Sequence, residues 1–306
     1  MPIAVHYERH FNLSGLTHGQ QVNATNTGIA GAGYVVGDLA STAGSTYSTP
    51  DEVVELKRFT SPVTVTASGV TFRYCLFDFA GGSSTVALDV QGDNFTGEYL
   101  NLGTDGATSY YRSVYGNDCT GLTLTRCDIH DAENCIEDNG TNSLLLECFL
   151  HAAQGISNPP DPHTDVIEIY GGNNHTYRRC RIGDATTADV TATINIAPWF
   201  GATTVQGVLI EDCFIDGGNA HILIDLQSTG EIYDVQVLRN KMGGHTNVGV
   251  FGRYTALQNS DSRTIDNTYQ GPNATSIHWP TTGDDLNTWD ECDDLTPDNT
   301  GVTVSP

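Results

Sequence analysis

The chain has 306 residues, with 13 basic and 37 acidic side chains for a formal net charge of −24. This balance works against a nucleic-acid partner, whose phosphates need clustered Lys and Arg, and equally disfavours docking on an anionic membrane surface, so neither is expected as a partner. Only 38% of residues are hydrophobic and 33 are glycine, yet short apolar runs recur throughout, which argues for a folded, Gly/Thr/Asn-rich β protein rather than a disordered one.

In chain order, the first ten residues lack the basic and apolar regions of a secretory signal. This fits synthesis and folding in a cytoplasm, with an extracellular location as the alternative. Residues 1–60 show no repeat and contain the loop-like stretch Asn26-Thr27-Gly28-Ile29-Ala30-Gly31; they read as a cap or attachment segment. From residue 61 a pattern returns: apolar, any, apolar, two residues, Cys or Asn, any, apolar. It is clearest in Val70–Phe77, Leu122–Ile129, Val208–Ile215 and Val235–Met242.

The equivalent positions are Cys75, Leu100, Cys127, Cys148, Cys180, Cys213, Asn240 and Asn267, about 27 residues apart on average. Between them lie alternating segments such as Val86–Val90, Val166–Ile169, Ile194–Ile196, Ile222–Leu226 and Val248–Val250. Period-two alternation marks strands, and no sustained 3.6-residue stripe competes with it. Strands returning at a fixed short interval predict an all-β fold, a parallel β-helix of eight recognisable coils over residues 61–279 and roughly 35–40 Å long. A Greek-key sandwich, the competing all-β arrangement, predicts no Cys/Asn register.

That register also predicts the redox state. Cys75, Cys127, Cys148, Cys180 and Cys213 share one ladder position and should be reduced packing residues, not disulfides or metal ligands. Cys119, Cys135 and Cys292 fall outside it. No Cys-x-x-Cys and no Gly-Gly-x-Gly-x-Asp occurs, so no resident metal or other cofactor is expected; Ca²⁺ enters only as a bridge to an acidic glycan. After Pro280 the chain carries seven acids and no base, and residues 280–306 read as an acidic C-terminal segment, partly docked through Trp289 and Cys292.

Chemistry concentrates in residues 151–170. The coil from Cys148 to Cys180 is longer than the mean, so a loop projects there. With Ile167 and Ile169 inward, Glu168 faces outward and Asp165 stands at the start of the strand. Glu137 falls one coil earlier, and Asn195 and Asp225 fall on later coils. Carboxylates about 5–9 Å apart are what glycoside hydrolysis requires. Asp165 and Glu168, with His163, are therefore the candidate catalytic groups. Tyr170 and Trp199 could stack on a sugar, alongside Glu137 and Asp225, as glycan contacts. Most of the 37 acids belong to solvated surface, and aromatics at coil loops commonly pack on their neighbours. Arg178, Arg179 and Arg181 form a tight basic cluster that uronate elimination could use. The net charge makes a neutral glycan the easier partner.

The stretches Asn26-Thr27-Gly28, Gly69-Val70-Thr71-Phe72, His163 to Ile169 with Gly171-Gly172, and Asp216-Gly217-Gly218-Asn219 resemble right-handed parallel β-helix proteins of the pectate-lyase-like superfamily. The likeness spans roughly residues 23–270 and is nearest to members common in actinobacteria and their bacteriophages. His163-Thr164-Asp165 is similar to the Asn-Thr-Asp motif of polygalacturonases. Only Asp165 carries over, because the family's paired Asp, Gly-His-Gly and Arg-Ile-Lys motifs have no counterpart here. The resemblance implies a virion tail protein, tail-fibre or tailspike-like. It would assemble in the host cytoplasm with other tail proteins, form a homotrimer and recognise a host surface polysaccharide. A polysaccharide-degrading enzyme, hydrolase before lyase, is the alternative.

Overall fold

The computed structural model describes residues 22–103, 110–155, 164–184, 190–198, 204–224, 231–245, 249–252, 262–265, 267–269, 289–292 and 296–297. His163, Trp199 and Asp225 lie outside these residues. Among these residues every strand pairing is parallel, and the strands form three ladders of 11, 9 and 10 strands in which each strand pairs with its counterparts on the neighbouring coils. The chain is a right-handed parallel β-helix. Each coil passes through the first sheet in two or three residues, then the second sheet, then the third.

The recurring sequence unit spans two strands rather than one. Thr71–Arg73 belongs to the third sheet and Leu76–Phe77 to the first, with a sharp turn at Tyr74-Cys75. The same turn recurs in every coil. Its first residue has a positive φ, between 52° and 55°, at Tyr74, Tyr99, Arg126, Glu147, Arg179, Asp212 and Arg239, none of them glycine. Left-handed backbone at an ordinary residue costs about 1 kcal/mol, so something must hold these turns.

The residue that follows supplies it. Cys180 Sγ accepts the Cys148 amide at 3.4 Å and donates towards the Leu145 carbonyl at 3.5 Å, both on the preceding coil. Cys213 accepts the Cys180 amide at 3.4 Å and donates to Tyr177 at 3.4 Å. Asn240 repeats the pattern: Oδ1 accepts the Cys213 amide at 2.9 Å and Nδ2 donates to the Ile210 carbonyl at 2.8 Å. Asn267 does the same to Asn240 and Val237. Cys and Asn interchange here because each offers a donor and an acceptor from one short buried side chain. The thiols are thus hydrogen-bonding rungs as well as packing residues. The seven cysteines whose side chains are described, Cys75, Cys119, Cys127, Cys135, Cys148, Cys180 and Cys213, are free and buried, and burial pushes the Cys75 thiol up to about 11.

Outside this turn the positive-φ residues stack into a second ladder. Tyr74 and Tyr99 contact each other in a tilted arrangement with centroids 5.9 Å apart, Tyr34 from the flanking segment packs on Tyr74 at 5.0 Å, and Arg126 donates to the Tyr99 hydroxyl. Thereafter charge alternates from coil to coil: Arg126, Glu147, Arg179, Asp212, Arg239. The successive ion pairs are Arg126–Glu147 at 2.7 Å, Arg179–Glu147 at 3.3 Å and Arg239–Asp212 at 2.9 Å. Arg178 pairs with Glu211. Two of the three arginines in the basic cluster are therefore neutralised along the rod and offer no open anion site.

The ladders extend beyond residues 61–279 at both ends. Ala40–Thr42 pairs with Lys57–Phe59, which pairs with Leu76–Phe77. These coils escape the repeat pattern because Lys57 stands where Cys75 stands one coil later and the coils are shorter. At the other end Trp289–Cys292 joins the third sheet and Thr296–Pro297 the first. Residues 22–39 lie on the flank of the rod, where Ile29, Leu39 and Tyr34 pack on Leu76 and Leu56 in a small core of their own. Asn101 Oδ1 accepts the Ile29 amide at 2.7 Å. The main core runs unbroken from Val54 to Met242, with Phe59, Phe72, Phe77 and Phe95 filling the early coils and aliphatic side chains the later ones.

Candidate functional site on the second sheet

The outer face of the second sheet gathers most of the described residues singled out above. Strand Asp165–Ile169 pairs with Ala132–Asp138 so that Glu168 stands beside Glu137. In the same row come Asp89 and Tyr115 on earlier coils and Asn195 on the next. Neighbours in such a row are one strand spacing apart, about 4.8 Å. Leu223 closes the row at the following coil.

Asn134 links the two carboxylates. Its Nδ2 lies 3.2 Å from Glu137 Oε2 and 2.8 Å from Glu168 Oε2, which brings the two oxygens within about 6 Å of each other, close to the separation of about 5–5.5 Å used in retaining glycosidases. Glu137 is otherwise fully engaged. Arg112 Nε donates to Oε2 and the Tyr170 hydroxyl donates to Oε1, and the side chain is 1% exposed. Burial disfavours the Arg112 cation, but the Glu137 charge and hydrogen bond outweigh this and raise its pKa. Burial, reinforced by Glu137, drives the Tyr170 phenol far above the usual range, so it stays protonated as a donor.

Arg112 is held flat by aromatic rings, 4.4 Å from the Tyr111 centroid and 4.7 Å from that of Tyr115. Glu133 is buried close by. Tyr111 is partly exposed, and burial raises its pKa against the opposing pull of Arg112. The rim is thus tyrosine and the floor carboxylate and amide.

Asp165 has a different job from the one its position suggested. It is fully buried, Oδ1 accepts the Ala192 amide at 2.9 Å and Oδ2 accepts Asn195 Nδ2 at 3.0 Å. Its own amide donates to Asn134 Oδ1 at 3.1 Å. It ties three coils together and orients Asn134 and Asn195 rather than facing solvent. The carboxylate pair at the site is Glu137 with Glu168, not Asp165 with Glu168. Two nearby acceptors, Asn195 Oδ1 and Thr164 Oγ1, are buried with no hydrogen-bond partner.

Sequence reasoning missed Tyr111, Arg112, Tyr115, Glu133 and Asn134. Alternation is broken in Ala132–Asp138, where every residue is buried, so the strand gives no period-two signal. One further step back along the row, from Glu137 to Tyr115, extends it to the tyrosine rim.

No group of three or more His, Cys, Asp or Glu side chains among the described residues is placed to hold a metal ion. The Glu137 oxygens are taken by Arg112, Tyr170 and Asn134, and Ca²⁺ takes six to eight oxygen ligands, so the site does not suit that ion. Comparison with family models, curated proteins and solved structures finds no match to this chain.

Proposed function

We propose that the chain is a glycan-binding protein that recognises a polysaccharide on a host cell surface through the outer face of its second sheet. The observation that carries this reading is a row of polar side chains with tyrosine at its rim. Tyr115, Glu137, Glu168 and Asn195 follow one another at strand spacing, and Asn195 Oδ1 has no donor within the protein, while a sugar presents hydroxyl groups in rows. Tyrosine at the rim offers flat, amphipathic surface for a sugar ring. The face runs along the rod, as an extended polymer would.

Binding is favoured over turnover because both Glu137 oxygens are already hydrogen-bonded and the side chain is almost inaccessible. Glycoside hydrolysis by paired carboxylates is the second reading, supported by the separation of Glu137 and Glu168. The finer assignment, a pectate-lyase-like tail-fibre or tailspike protein forming a homotrimer on a virion, rests on the resemblance of the motifs. The reduced cysteine ladder supports folding in a reducing cytoplasm.

The test is a binding screen against polysaccharides from bacterial envelopes, followed by reducing-end release from any ligand found. Binding without release, weakened about tenfold or more by Glu168→Gln, supports recognition. Release of reducing ends that Glu168→Gln abolishes transfers the assignment to a hydrolase. Binding untouched by substitutions at Glu168 and Tyr170 would remove the site from this face. Sedimentation velocity reads the trimer directly.

A further inference from the structure

The outer face of the first sheet carries a second, separate arrangement. Its outward row reads Asn101, Asp128, Phe149, Arg181, Phe214 and Lys241 on successive coils. The Arg181 guanidinium lies between two phenyl rings, 5.1 Å from the Phe149 centroid and 5.7 Å from that of Phe214. Every other described arginine side chain has a carboxylate within ion-pair distance: Arg58, Arg73, Arg112, Arg126, Arg178, Arg179 and Arg239. Arg181 has none, and its Nε is buried without a hydrogen-bond partner. In a chain of net charge −24 this is a conspicuous omission.

From this geometry we propose that Arg181, clamped by Phe149 and Phe214, is the recognition point for an oxyanionic group, a carboxylate or phosphate carried on a saccharide. A guanidinium fixed in plane presents its fork to such a group in two parallel hydrogen bonds. Burial lowers the Arg181 pKa, while Asp216 and Asp184 act at longer range to keep it cationic. Both acids are occupied: Asp216 accepts the Gly217 and His245 amides, and Asp184 accepts the Ala152 amide at 3.1 Å. Alongside, His151 stacks on the same Phe149 ring at 4.0 Å and is held by Asp128 at 3.0 Å, which adds a further hydrogen-bonding edge at the border of the site. The saccharide as carrier rests on the glycan reading above, whereas the anion-binding geometry of Arg181 belongs to the first sheet and shares no residue with the second-sheet site.

The test is calorimetric titration of the full chain with an oligogalacturonate, with the same oligosaccharide after reduction of its carboxyl groups, and with inorganic phosphate. The native chain should bind the acidic oligosaccharide or phosphate, and the carboxyl-reduced form at least about tenfold more weakly. Tighter binding of the oligogalacturonate identifies a carboxylate ligand; phosphate binding alone identifies a phosphorylated one. Arg181→Gln should remove the discrimination, Arg181→Lys should restore part of it, and Glu168→Gln should leave it intact. Equal binding of the acidic and reduced forms with no phosphate binding, or no binding by either anion, overturns the proposal without any variant. Discrimination retained in a folded Arg181→Gln chain overturns it too.

Discussion

Replacing Asn240 by alanine probes the hydrogen-bonding account of the Cys/Asn ladder. Alanine leaves the Cys213 amide and the Ile210 carbonyl without the partners they have at 2.9 and 2.8 Å. Asn240 is fully buried, so water does not replace them. Each orphaned buried group costs about 1–3 kcal/mol, giving a loss of about 2–6 kcal/mol before any cavity is counted. Asn240→Cys recreates the rung found at Cys213 and Cys180, with a thiol that accepts the same amide and donates to the same carbonyl, and should cost about 1 kcal/mol or less. Urea denaturation followed by circular dichroism measures both, and hydrogen exchange at the Cys213 amide reads the rung itself. If alanine costs less than about 1 kcal/mol, or if cysteine is no better than alanine, the ladder is packing alone and the donor–acceptor explanation of the register fails.

Further outcomes follow from other parts of the rod. Gly28 has φ +56° and a Cβ there would fall 2.1 Å from Asn101 Oδ1, so Gly28→Ala should release residues 22–39 from the flank. Limited proteolysis should then cut that segment first, with the coils intact. Asp138 is fully buried against His175 at 3.0 Å. Burial alone would raise its pKa, but the His175 charge and hydrogen bond with the Gly140 amide lower it below 3.8. A carboxylate with a depressed folded pKa adds stability that is complete above its unfolded value and is lost as pH falls through the folded one. Acid titration should therefore show stability falling below pH 3.8, a loss that Asp138→Asn removes while lowering stability at neutral pH. Thiol labelling should leave the seven free, buried cysteines unmodified in the native chain and modify them after denaturation; labelling of the native ladder would contradict its burial.

Much of the architecture was legible before any coordinates. The positions 75, 100, 127, 148, 180, 213, 240 and 267 all fall at the same turn, because a solenoid stacks identical backbone geometry and so repeats the side chain that geometry demands. The inward row of Ile167, Ile169, Ile194 and Ile196 and the outward Glu168 followed from period-two alternation alone. Alternation could not reveal the all-buried strand that sets Glu133 and Asn134 near Glu137, nor the early coils in which Lys57 replaces cysteine.

The sequence by itself determined an acidic, reduced, all-β rod, because period and register are local properties that a chain displays in its own order. Only the tertiary structure decided which acids are free to act. Burial and partners come from neighbouring coils about 30 residues away in sequence: these turn Asp165 into a structural tie, saturate Glu137, pair Arg178 and Arg179 with acids, and leave Arg181 between two rings without one.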